Sequence, residues 1–94
     1  MMIREDIQAL INYCSNFKVD ENVSVDELKK IVERIDLMIY QLGTEGSLSD
    51  QQIYHLDDLL NQLLLSIRGD RINIQRYART IRMIGDFLKK KLKH

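Results

Sequence analysis

Four stretches of this chain place apolar residues every three or four positions, and no proline interrupts any of them. The first carries Ile3, Ile7, Leu10, Ile11 and Cys14. The second carries Leu28, Ile31, Val32, Ile35, Met38, Ile39 and Leu42. The third carries Ile53, Leu56, Leu60, Leu63, Leu64 and Ile67, with Leu59 widening the stripe. The fourth carries Ile74, Tyr77, Ala78, Ile81, Ile84, Gly85, Leu88 and Leu92. A period near 3.6 gathers such positions on one side of a helix, whereas a half-buried strand needs strict alternation. Proline is the residue that helix interiors least tolerate, and its absence from all 94 positions points the same way.

The residues between the stripes are those that start and stop helices. In "VSVDEL", Ser24 can cap a helix, Glu27 can close a capping box, and Val23 and Leu28 occupy the positions of a hydrophobic staple. "LSDQQI" repeats the arrangement with Ser49, Gln52, Leu48 and Ile53. "INIQRY" offers Asn73 as cap and Ile72 stapled to Tyr77. Gly43 and Gly69 fall just past apolar stripes, where a left-handed C-terminal residue is wanted. These signals predict helices over residues 3–16, 25–42, 50–68 and 74–92. Short links make sequential neighbours antiparallel. The expected fold is all-α, an antiparallel four-helix bundle forming a single domain over residues 1–94. The first helix, being short, is expected to be its loosest part.

Composition narrows the class further. The apolar share is 45% and the charged share 30%, as in an ordinary water-soluble globule. No apolar run approaches the roughly 18–20 residues that cross a bilayer. Acidic Glu5 and Asp6 break any resemblance of the N-terminal stretch to a secretory leader. A lone cysteine, Cys14, has no intramolecular disulfide partner. The reading is a cytoplasmic protein. Net charge is zero, but residues 1–47 hold five Lys/Arg against nine Asp/Glu, whereas residues 48–94 hold nine against five. The C-terminal half is the basic one.

Catalysis finds little to work with. His55 and His94 share no helical i, i+4 pair, and Cys14 lies on an apolar stripe, where a cysteine is usually core. Neither a catalytic residue nor a metal or cofactor ligand is expected, and no small-molecule substrate. Arg68-Gly69-Asp70 matches an adhesion triplet, and Asn22-Val23-Ser24 a glycosylation sequon, but Gly69 and Ser24 already have structural tasks at helix ends. The fourth segment is different. Arg79, Arg82, Asp86, Lys89 and Lys93 are spaced 3, 4, 3 and 4, so they form one polar stripe. Read plainly, this is a solvated face whose C-terminal lysines suit the helix dipole. Read functionally, it is a docking surface. A duplex reader usually presents a basic surface, and half of this chain is acidic, so no nucleic acid is expected. The lysine-rich end can also sit at an anionic membrane surface.

The order of elements carries a resemblance. A short first helix and an acidic link precede the long "LKKIVERIDLMIYQL" helix. A leucine-rich third helix, a tight "RGDR" turn and a fourth helix opened by "INIQRY" follow. This resembles the immunity proteins of pediocin-like (class IIa) bacteriocins, especially the enterocin A immunity group, over roughly residues 3–88. The resemblance implies a cytosolic four-helix bundle that protects a producer cell from its own bacteriocin. It implies a partner, the membrane-embedded mannose phosphotransferase permease with bacteriocin bound, engaged from the inside to block leakage. It also implies that specificity resides in the C-terminal half, here residues 48–94. Many members continue into a tail beyond the fourth helix. This sequence ends at "KKKLKH", so the basic end of that helix is expected to serve instead. The candidate partner-binding residues are Arg71, Arg76, Arg79, Arg82, Lys89, Lys90 and Lys93, with inner-leaflet contact expected alongside. Two other readings compete: a small DNA-binding regulator using the fourth helix, and a general helical adaptor marked by exposed Leu37, Leu59 or Leu65.

Overall fold

The computed structural model describes residues 1–92. Four helices run in the order α1 (Arg4–Ser15), α2 (Val25–Thr44), α3 (Asp50–Leu65) and α4 (Ile74–Lys91). Two short strands, β1 (Ile67–Arg68) and β2 (Arg71–Ile72), pair as an antiparallel hairpin between α3 and α4. The predicted all-α four-helix arrangement is what the chain adopts; the hairpin is its one unforeseen element.

Local chemistry accounts for the helix starts. The Ser24 hydroxyl accepts from the Glu27 backbone N–H, and the Asn73 side chain accepts from Arg76 N–H. At Ser49 the full capping box forms, with the Gln52 side chain accepting in return from the Ser49 N–H at 2.9 Å. The ends needed correction. Gly43 does not terminate the second helix, which continues through Thr44. The left-handed residue is Gly46, at φ 78°. Around it the Ser47 N–H bonds to Leu42 O and the Gly46 N–H to Gly43 O, the paired bonds of a Schellman motif. α3 likewise stops at Leu65, three residues before its predicted end. Gly69, at φ 58°, is the first of two residues linking the strands, and Asp70 has negative φ. That sign pattern belongs to a type II′ hairpin turn.

The helix faces read from spacing are the buried ones. Leu28, Val32, Ile35, Met38, Ile39 and Leu42 are buried on α2, and Tyr77, Ala78, Ile81, Ile84 and Leu88 on α4. Together with Ile7, Leu10, Ile11, Leu56, Leu59, Leu60 and Leu63 they form one contiguous core. Leu59 belongs inside it, while Ile3 and Leu64, both placed on apolar stripes by spacing, are exposed. α1 is not the loosest element. Its contact with α4 is more extensive than that between any other pair of helices. The reason is Gly85, which lets the two backbones nearly touch; a Cβ there would stand 2.2 Å from Ser15 N. Just past the same end of α1, Phe17 is buried against Tyr77, with ring centroids 5.4 Å apart. The Tyr77 hydroxyl in turn donates to Leu28 O of α2 at 3.0 Å, tying α4 to α2 across the core. The Met2 backbone exchanges two hydrogen bonds with the Gln41 side chain, fixing the start of α1 beside the end of α2.

Candidate functional site

α4 places the basic residues by simple rotation. At 100° per residue, Arg79, Arg82, Lys89 and Lys90 fall within roughly 100° of arc, opposite the buried side. All four are exposed, and Asp86 lies among them. Arg76 stands at the edge of this arc and is half-buried. Arg71 is not on the helix but on β2. Lys93 lies outside the described residues. The structure therefore gathers four of the seven predicted side chains on one face, sets two near the start of α4, and leaves one undescribed.

The hairpin adds a residue that sequence reasoning passed over. Strand register places Arg68 directly opposite Arg71, with Gly69 and Asp70 as the turn between them. Like charges paired across strands repel. Two isoleucines, Ile67 and Ile72, pair at the base, both half-buried. The signal was present: "IRGDRI" is a Gly-Asp turn flanked by matching Ile and Arg positions, a two-residue hairpin pattern. The triplet Arg68-Gly69-Asp70 is thus an exposed hairpin tip.

Two residues of the basic set have further duties. The Arg82 Nε–H donates to Phe17 O at 2.9 Å, holding the link after α1 against α4. Its guanidinium is partly structural. Lys89 and Lys90 border a depression of about 570 Å³ between α1 and α4, with Ile11, Leu88 and Leu92 as its apolar lining. Cationic edges beside an apolar floor suit an anionic amphiphilic surface. Lys91 turns elsewhere, its Nζ 5.6 Å from the Phe87 ring.

Two titratable groups away from this face, Cys14 and Tyr77, are buried in the core. Burial pushes the Cys14 thiol up to about 12, against a small opposing pull from Arg34. A thiol held protonated is a poor nucleophile. Burial also raises Tyr77, with the charges of Tyr13 and Cys14 adding to it. His55 stacks near Phe87 at 4.7 Å between centroids. Among the described residues no group of three or more His, Cys, Asp or Glu is arranged to hold a metal ion. No described helix is long and apolar enough to cross a membrane. Comparison of the chain with protein-family models, curated proteins and solved structures finds no match in any of the three.

Proposed function

We propose that this chain is an immunity protein against a pediocin-like bacteriocin. It acts at the cytoplasmic side of the membrane without catalysis. Its partner would be the mannose phosphotransferase permease carrying the bacteriocin. The observation that carries this reading is the order and length of the four helices and their links, together with the "INIQRY" opening of α4, which resemble that family. The basic arc of α4 supports it, because Arg79, Arg82, Lys89 and Lys90 are exposed in the half where specificity is expected. The depression beside Lys89 and Lys90 offers a contact for the inner leaflet.

The test is a growth-inhibition titration. The chain is expressed in a bacterium sensitive to pediocin-like peptides and challenged with a panel of them. A large rise in inhibitory concentration for one or a few peptides is the expected result. No rise for any peptide, with soluble expression verified, would refute the reading.

A helical adaptor is the second reading, and it too has an observation in its favour. Leu37 and Leu65 are 62% and 58% exposed. The DNA-binding alternative has less. A helix-turn-helix joins its helices by three or four residues. Here residues 66–73, with a hairpin among them, separate α3 from α4.

A further inference from the structure

The seam between α2 and α3 is open on its solvent side. One depression, of about 360 Å³, has Val32, Leu60, Leu64 and Ile67 as its apolar lining. A second, of about 370 Å³, has Ile39, Tyr40 and Ile53. Asp36 borders both, so the two form one trough. On α2 it runs from Lys29 to Thr44, about 22 Å at the helical rise of 1.5 Å per residue. That length matches about four turns of another helix. Its sides carry large apolar groups that the core does not use: Leu64 is 50% exposed and Tyr40 71%.

Charge says what kind of helix fits. Glu33, Asp36 and Asp57 border the trough, and Lys29 is the single base among its lining residues. Asp36 and Asp57 reach the lower depression from opposite walls, one on α2 and one on α3. α3 contains neither Lys nor Arg along its sixteen residues. A second copy of this chain answers the charge with its basic α4 but not the apolar floor, because the apolar face of α4 is already buried in its own core.

We infer that the α2–α3 trough binds a cationic amphipathic helix of another polypeptide. Its apolar face would cover Val32, Leu60 and Leu64, and its lysines or arginines would lie between Asp36 and Asp57. Helix-in-groove recognition uses anchors at i, i+3, i+4 and i+7, which is the pattern such a trough accepts. The inference stands apart from the immunity reading and involves the α2–α3 seam, not the basic arc of α4.

The probe is a synthetic peptide of about sixteen residues, long enough for four turns, with leucines at helical spacing and lysines elsewhere. Its controls are a scrambled peptide of the same composition and a version with glutamates for lysines. Binding to the full chain is followed by fluorescence anisotropy, and the site is mapped by amide chemical-shift changes. The lysine helix should bind, with shifts confined to α2, α3 and the hairpin. Asp36→Lys with Asp57→Lys should weaken it at least tenfold, and Tyr40→Ala with Leu64→Ser likewise. The same charge change at Glu5 and Asp6, on α1 and outside the trough, should alter it less than threefold. The unmodified chain decides the matter even if a variant misfolds. Absence of binding, equal binding of the scrambled peptide, or shifts centred elsewhere would each overturn the inference. So would a dimer in sedimentation that Tyr40→Ala with Leu64→Ser abolishes, since the occupant would then be a second copy.

Discussion

Replacing Gly85 by alanine should destabilise the protein although alanine is the better helix former. An added Cβ would stand 2.2 Å from Ser15 N, 2.7 Å from Ser15 Cα and 2.8 Å from the Cys14 carbonyl carbon. Non-bonded carbons prefer about 3.5–4.0 Å, so α1 would have to retreat by about 1 Å. A gap of that size forfeits about a quarter to a half of the dispersion attraction across it. Of the buried α1 side chains, Cys14 is small, and Ile7, Leu10 and Ile11 are the large ones that depend on this crossing. At about 1.5–3 kcal/mol each they contribute about 5–9 kcal/mol, of which about 1–4 kcal/mol would be lost. Alanine returns about 1 kcal/mol of helix propensity. The net loss is about 2 kcal/mol, or about 8–16 °C in Tm for a domain this small. Gly43→Ala is the matched control. There the Cβ meets only the end of the Ile53 side chain, at 3.0 Å, which can rotate away. Thermal melts followed by circular dichroism would show Gly85→Ala falling and Gly43→Ala near wild type. Hydrogen exchange should show the loss concentrated in α1. A Gly85→Ala protein that melts at or above the wild-type temperature would refute the close crossing of α1 and α4.

Ile35 has no exposed surface, so Ile35→Asp buries an unpaired charge and should cost several kcal/mol; a near-wild-type urea midpoint would place the α2 face elsewhere. Alkali should weaken the fold through Cys14, whose thiol is raised from an ordinary 9.0 to about 12. Between those values the unfolded chain holds fewer protons, so stability is intact below about pH 9 and falls by up to about 1.4 kcal/mol per pH unit above it. Urea unfolding at pH 8 and pH 10.5 should show a steeper loss for wild type than for Cys14→Ala, and equal slopes would exclude the thiol as the cause. Arg79 and Arg82 should separate when substituted singly. Arg82→Ala loses the bond to Phe17 O and should cost about 1 kcal/mol. Arg79→Glu should leave the melt unchanged while lowering protection in the growth assay. Undiminished protection in a folded Arg79→Glu protein would remove that residue from the docking face.

The docking candidates show how far spacing carries and where it stops. Arg79, Arg82, Lys89 and Lys90 could be assigned to one face because 100° of rotation per residue is a property of the helix alone. Arg71 was grouped with them by proximity in sequence, yet it sits on a strand opposite Arg68. Spacing places Arg82 on the polar stripe beside Asp86, but its hydrogen-bond partner lies 65 residues away in a link with no regular structure. Phe17 shows the same limit. It falls in that polar link, outside every periodic stripe, and it becomes core where the Tyr13 and Tyr77 rings offer it aromatic surface.

What the sequence determined by itself is everything governed by near neighbours. Helix faces follow from the 3.6 period, and the caps at Ser24, Ser49 and Asn73 from side-chain oxygens three residues before the N–H groups they meet. Even the hairpin lay within reach of local rules, in the symmetry of "IRGDRI". The tertiary structure alone decided which glycine lets two helices touch and which side of the α2–α3 seam stays open. Gly43, Gly46 and Gly85 look alike in the sequence, but one faces Ile53, one takes positive φ, and one abuts the backbone of α1. The physical reason is range. A cap or a stripe is fixed within one or two turns of chain, whereas a helix crossing or an open trough depends on distances between segments that meet only when the whole core has closed.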